Sequence, residues 1–107
     1  MRDPDFSHEN LFGGRGTVSI WNITPRLPPF TALLWCSLSS KGRVGPHRQE
    51  HHPEVVVCIS GAGSLWINKK KFAMEPMYSY PLPLGAVLAI ENLSEEPLVY
   101  TITKAKV

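Results

Sequence analysis

Three of the four histidines in this 107-residue chain, His47, His51 and His52, lie within six positions of one another. Imidazole nitrogens bind divalent metals and move protons near neutral pH. Glu54 follows closely, and a carboxylate oxygen is a compatible ligand. In a strand, side chains two positions apart share one face, so His52 and Glu54 should lie on the same side. Together with His47 they would form a three-ligand metal site with open positions, as metal-ion catalysis requires.

Each of these residues also has an interpretation that needs no metal. His47 would then be a hydrogen-bonded histidine inside a pocket. His52 would belong to an exposed turn before Pro53. Glu54 would pair with Arg48 or with a pocket histidine, because a buried carboxylate without a partner is costly. The residue types alone leave these alternatives open.

The elements that must position these residues are strands. The chain has 10 Pro and 8 Gly, which leaves little room for long helices and suits short strands joined by turns. We predict an irregular arm over 1–16, a polar loop over 40–46 and a turn over 81–85. Apolar, β-branched and alternating segments predict strands at 17–23, 31–39, 54–60, 64–68, 71–74, 78–80, 86–91 and 98–104.

The order of His47, Glu54 and Gly61 resembles the first motif of the cupin superfamily, which runs His, one residue, His, three or four residues, Glu, six residues, Gly. Gln49 stands where the second His of that motif belongs. The second motif runs Gly, five residues, Pro, one residue, Gly, two residues, His, three residues, Asn. Its positions in this chain are Met77, Pro83, Gly85, Leu88 and Asn92, so the first Gly and the His are replaced. The resemblance covers about residues 30–104.

This resemblance implies an all-β fold, a double-stranded β-helix or jelly-roll barrel of two antiparallel sheets, formed as a single domain by residues 17–107. It also implies a divalent metal (Fe, Mn, Zn, Ni or Cu) held by three His and one Glu. His47 and Glu54 match ligands of that set, Gln49 offers a weaker amide oxygen, and Leu88 offers no donor, so His52 would have to compensate. We expect the pocket inside the barrel to be lined by Trp35, Trp66, Tyr80, Leu88 and Tyr100.

The function predicted from these features is a small cupin-domain protein that binds a small molecule at the barrel centre, with or without a metal ion. If it is an enzyme, the resemblance favours a metal-dependent oxygenase or isomerase. The alternatives are a metal-free ligand-binding or sensory module, or a module kept for dimerisation. The resemblance also implies a homodimer.

Charge and cysteine content limit the other partners. The net charge of +2 is too small for nucleic-acid binding, and no apolar segment is long enough to span a membrane. The N-terminus lacks an apolar signal core, and Cys36 and Cys58 lie in strand-like segments as expected for buried thiols, so we expect a cytoplasmic protein. Asp3 and Asp5 are the only aspartates, which disfavours an Asp-rich calcium loop or an Asp-oriented triad in the rest of the chain.

Overall fold

The computed structural model describes residues 1–106, so position 107 of the expected barrel domain lies outside it. The described chain folds into ten strands and one short 3₁₀ turn, Leu11–Gly13. None of its helical segments is long and apolar enough to cross a membrane. The strands are β1 (Phe6–Glu9), β2 (Thr17–Asn22), β3 (Phe30–Leu38), β4 (Arg43–Arg48), β5 (Glu54–Ser60), β6 (Gly63–Ile67), β7 (Lys70–Met74), β8 (Ser79–Leu82), β9 (Val87–Asn92) and β10 (Leu98–Ala105).

The strands form two antiparallel sheets. One has six strands in the order β1-β2-β3-β10-β5-β8, and the other has four in the order β4-β9-β6-β7. Because β10 lies between β3 and β5, and β9 between β4 and β6, the chain crosses repeatedly from one sheet to the other. The predicted all-β architecture of two antiparallel sheets is confirmed.

Alternation along the strands decides which side chains enter the space between the sheets. In β5, Glu54, Val56 and Cys58 are 4%, 0% and 1% exposed, so the expected face of this strand is the buried one. In β10, every second side chain faces the space between the sheets, and this inward-facing series runs from Tyr100 through Ile102 to the charged residue Lys104. The core between the sheets contains chiefly Val18, Leu38, Leu65, Met74, Leu82, Leu88, Ile90 and Leu98.

Three segments differ from the sequence-based expectations. The arm over 1–16 contains β1, whose four residues are all exposed and which forms because it pairs with β2. The loop predicted over 40–46 contains most of β4, an edge strand with an irregular register between Val44 and His47. The turn predicted over 81–85 overlaps β8, which is also an edge strand. Edges and irregular registers accept proline, so Pro46 and Pro81 do not end these strands.

A buried amide joins the two sheets near the end of β9. Asn92 is 1% exposed, and its Nδ2 lies 3.2, 3.0 and 2.7 Å from the carbonyl oxygens of Leu38, Ser39 and Glu96. Its Oδ1 accepts a 3.0 Å hydrogen bond from the Ser94 amide. We expect Asn92→Ala to lower the free energy of unfolding by about 2 kcal/mol in urea titrations, because buried carbonyls lose their donor. Asn92→Asp should be equally damaging because a carboxylate cannot donate; wild-type stability in that variant would contradict this explanation.

Candidate functional site

A cavity of about 170 Å³ lies between the two sheets, at one end of the barrel. Its polar side chains are His47 from β4, Cys36 from β3, and Tyr100 and Lys104 from β10. The rest of its wall is apolar, formed chiefly by Val18, Ile20, Leu34, Val44, Leu88, Ile90 and Ile102. The cavity therefore suits a mostly apolar ligand that presents a polar group at one end.

Two of these polar side chains stay protonated at neutral pH. Burial raises the pKa of the Cys36 thiol to about 12. Burial also raises the pKa of the Tyr100 hydroxyl well above its usual value. Because only a thiolate is strongly nucleophilic, Cys36 is a packing residue rather than a nucleophile.

An ion pair lies at the polar end of the cavity. The β5–β10 register places Lys104 directly opposite Glu54, and Lys104 Nζ lies 3.7 Å from Glu54 Oε2. The side chain of Glu54 is only 1% exposed, whereas that of Lys104 is 36% exposed. Burial raises the pKa of Glu54, and the Lys104 ammonium opposes that increase. Since Oε2 has no hydrogen-bond partner within residues 1–106, the ammonium is the main compensation for this buried carboxylate.

Lys104 also lines the mouth of the site. The mouth is a depression of about 340 Å³ that His47, Gln49, His52 and Lys104 share with neighbouring residues of the β4–β5 connection. In the part of the chain that the structure describes, the Nε2 atom of Gln49 and the Nδ1 atom of His52 are buried there without a hydrogen-bond partner. Polar atoms of this kind are available to a ligand or to water entering through the mouth.

The short turn Leu11–Gly13 covers one side of the cavity, and we call it the roof turn. The ring of Phe12 stacks on the His47 imidazole with 4.1 Å between ring centroids and 13° between ring planes. Phe12 has a φ of +53°, a left-handed conformation that phenylalanine adopts only when the surroundings hold it. The Nδ1 atom of His47 lies 3.1 Å from the Gly45 carbonyl oxygen, so Nδ1 carries the proton and Nε2 is left as an acceptor.

Solved structures with the same arrangement identify the fold. A predicted oxalate decarboxylase from Thermotoga maritima superposes with a TM-score of 0.90 at 18% identity, covering 99% of this chain and 95% of that one. This chain has the cupin fold. The cupin domain of Cnp3 from Schizosaccharomyces pombe superposes with a TM-score of 0.78 at 15% identity, covering 95% of this chain and 69% of that one. A cupin 2 conserved barrel domain protein from Salinispora arenicola superposes with a TM-score of 0.72 at 18% identity, covering 84% of this chain and 76% of that one. No family model matches the sequence, and no curated protein matches it significantly.

The residues of this cupin barrel do not fit a metal ion. Within residues 1–106, no group of three His, Cys, Asp or Glu side chains is placed to hold one. His47 and His52 share the mouth with Gln49, but Glu54 is paired with the ammonium of Lys104, whose charge would repel a cation. Leu88, where the cupin pattern has histidine, is fully buried and apolar. The predicted donor set is therefore incomplete.

The five residues expected to line the pocket lie in different places. Leu88 and Tyr100 line the cavity, and Tyr80 is buried elsewhere in the core, where its hydroxyl donates to the Ala73 carbonyl. Trp35 and Trp66 lie outside the barrel, because each follows an inward-facing residue of its strand and alternation turns it to the outer face. These two tryptophans therefore belong to two separate surface depressions.

Two residues of the site had not been predicted. Lys104 continues the alternation of Leu98, Tyr100 and Ile102, so extending that pattern by two positions would have indicated an inward lysine. Phe12 reaches the site only because the roof turn folds back over β4, and no local pattern indicates that contact. The lysine was thus predictable from periodicity, whereas the phenylalanine depended on the tertiary structure.

His47 should make stability depend on pH. Burial lowers its pKa below 6.5, the hydrogen bond with the Gly45 carbonyl opposes part of that decrease, and the nearby Lys104 charge adds to it. Its neutral form is therefore favoured in the folded state, so its contribution to stability is present above pH 6.5 and is lost as the pH falls through the folded pKa. We expect an NMR titration of the His47 ring to show this lowered pKa. Urea unfolding should be less pH-dependent in His47→Gln than in the wild type, and an unchanged dependence would contradict this assignment.

Proposed function

We propose that this cupin barrel binds a small, largely apolar molecule with a neutral hydrogen-bonding head, without a metal ion. The observation that carries the proposal is the Lys104–Glu54 ion pair at the polar end of an otherwise apolar cavity. The pair already contains one cation and one anion, so the polar end needs no further ion to balance its charge.

The donors and acceptors at this end favour a hydroxyl or amide head. Lys104 has ammonium hydrogens that its 3.7 Å contact with Glu54 leaves available. His47, neutral at pH 7, offers Nε2 as an acceptor. A hydroxyl group can accept a hydrogen bond from the Lys104 ammonium and donate one to His47 Nε2. A carboxylate head would compete with Glu54 for the same ammonium and would find no donor at His47.

The volume of the cavity limits the apolar part of the ligand. An engineered cavity of about 150 Å³ binds benzene, so the cavity of about 170 Å³ fits one six-membered ring or an aliphatic chain of similar size. A sugar phosphate is disfavoured because it would leave hydroxyls and phosphate oxygens against the side chains of Leu34, Leu88 and Ile102.

Phenol is a suitable first probe because it combines one ring with one neutral hydroxyl. We expect calorimetry at pH 7 to give a Kd of about 0.1–1 mM for phenol, and about tenfold weaker binding for benzoate. Leu34→Phe should abolish phenol binding by filling the cavity. Leu33→Phe is the matched control, because the same change one position earlier in β3 lies outside the cavity lining. Benzoate binding as tight as phenol, or equal effects of the two variants, would contradict the proposal.

The metal-dependent alternative has its own test. After incubation with Fe²⁺, Mn²⁺, Ni²⁺ or Zn²⁺ and gel filtration, we expect less than about 0.1 equivalent of metal per chain. Stoichiometric metal that disappears in His47→Ala would overturn the metal-free proposal and favour the oxygenase or isomerase interpretation.

A further inference from the structure

The outer face of the four-stranded sheet carries a groove that the barrel site does not use. Its volume is about 330 Å³, and we call it the Trp66 groove. Ala89 in β9 pairs with Trp66 in β6, and both line the groove together with Pro46 in β4. Val87 extends the apolar floor, and Lys69 lies at the rim.

Two cations lie over the ring of Trp66. The Arg43 guanidinium carbon is 5.7 Å from the ring centroid, and Lys71 Nζ is 5.6 Å from it. The Nε atom of Arg43 is buried and has no hydrogen-bond partner among the described residues. Glu91 lies directly opposite Arg43 in the β4–β9 register, but its carboxylate forms its ion pair with Arg15. The groove therefore combines an aromatic wall and an apolar floor with the positive charges of Arg43 and Lys69, and none of the described residues that line it is acidic.

We propose that the Trp66 groove is a second binding site, for a planar bicyclic aromatic molecule that carries an anionic group. The ring system would pack between the Trp66 ring and Pro46, beside the two cations, and the anion would meet Arg43 and Lys69. The volume of about 330 Å³ is twice that of a cavity that holds benzene, which matches two fused rings with a charged substituent. Purine nucleotides and naphthalene carboxylates share this chemistry, whereas a nucleic-acid polymer would need a larger basic surface than a net charge of +2 provides.

The groove and the barrel cavity are separated by the sheet itself. Ala89 and Val87 point outward from β9, whereas Leu88 and Ile90 point into the barrel cavity. A ligand in the Trp66 groove therefore touches none of the residues that line the cavity, and the two sites can be tested independently.

AMP and 2-naphthoate are the probes, measured by calorimetry at low ionic strength with adenosine and inorganic phosphate as partial ligands. We expect at least one of the two probes to bind with a Kd of about 1 mM or less. If AMP is the better probe, adenosine and phosphate should each bind about tenfold more weakly than AMP. Arg43→Gln should weaken binding of that probe about 5- to 10-fold. Arg26→Gln is the matched control, since Arg26 is exposed and lies outside the groove lining.

Trp66→Leu provides the second variant, because it removes the stacking surface while keeping the groove apolar. This variant should lower the affinity for the probe that binds about 10-fold and remove the probe-dependent change in tryptophan fluorescence. Leu34→Phe, which fills the barrel cavity, should leave the affinity unchanged. A Kd above about 1 mM for both probes, equal affinity in Arg43→Gln and Arg26→Gln, or loss of binding in Leu34→Phe would overturn the proposal.

Discussion

Replacing Lys104 with methionine should lower the free energy of unfolding by about 3 kcal/mol at pH 8, because it leaves the buried carboxylate of Glu54 without its counter-charge. Methionine keeps the length and the apolar stem of lysine, so little packing is lost. Urea unfolding at two pH values measures the effect. Because the Lys104 side chain is 36% exposed, the expected loss of unfolding free energy lies at the lower end of the range for removing one partner of a buried ion pair.

The pH dependence tests the cause of this loss. Burial raises the folded-state pKa of Glu54, so the folded state favours the protonated carboxyl. The stability gained from that protonated form is fully present below pH 4.5 and is lost as the pH rises through the folded-state pKa. Without Lys104 that pKa should be higher still, because the ammonium no longer opposes the increase. The loss of unfolding free energy in Lys104→Met, relative to the wild type, should therefore be smaller at pH 5 than at pH 8. An equal deficit at both values would show that the lost contact is packing rather than charge.

Glu54→Gln and the double variant complete a thermodynamic cycle. Glu54→Gln alone should cost less than Lys104→Met, because the partly exposed ammonium can move into water whereas the buried carboxylate cannot. Adding Glu54→Gln to Lys104→Met should recover about 2 kcal/mol. Additive effects of the two changes would contradict a direct interaction between these side chains.

Gly45→Ala should lower the free energy of unfolding by about 3 kcal/mol and should also open the site, because the added carbon would meet the backbone of the roof turn. A Cβ at this position would lie 1.9 Å from the Phe12 carbonyl oxygen, closer than any real contact, so the roof turn would have to move. Its displacement would separate the Phe12 ring from His47. We expect phenol affinity to fall at least about tenfold and the NMR signals of His47 to shift.

Gly13→Ala is the control for the roof turn. No atom of the described residues 1–106 would lie within 4 Å of its Cβ, but Gly13 has a φ of +75°, so alanine there adds backbone strain without a clash. That strain should cost about 1 kcal/mol and leave phenol affinity unchanged. If Gly13→Ala and Gly45→Ala reduced phenol affinity equally, close approach of the two backbones would not explain the effect of Gly45.

The strands with strong local signals were predictable from the sequence. The β-branched residues of β5 and the alternation of β10 predicted both strands and their buried faces, because those faces depend only on the period of two. β1 and β4 were missed because their residues have little strand propensity of their own, and pairing with β2 and β9 is what extends them. Pairing of this kind depends on contacts distant in sequence, which a local pattern cannot show.

The sequence by itself determined the class of fold, the buried position of Glu54 and the presence of His47 at the site. Only the tertiary structure showed which charged group faces Glu54. The sequence pattern suggested a metal ligand, but strand register places Lys104 opposite it, and an ammonium 3.7 Å away occupies the position of a counter-ion. Register is a property of two strands 50 positions apart in the chain, and it places the glutamate of the metal-ligand pattern opposite an ammonium.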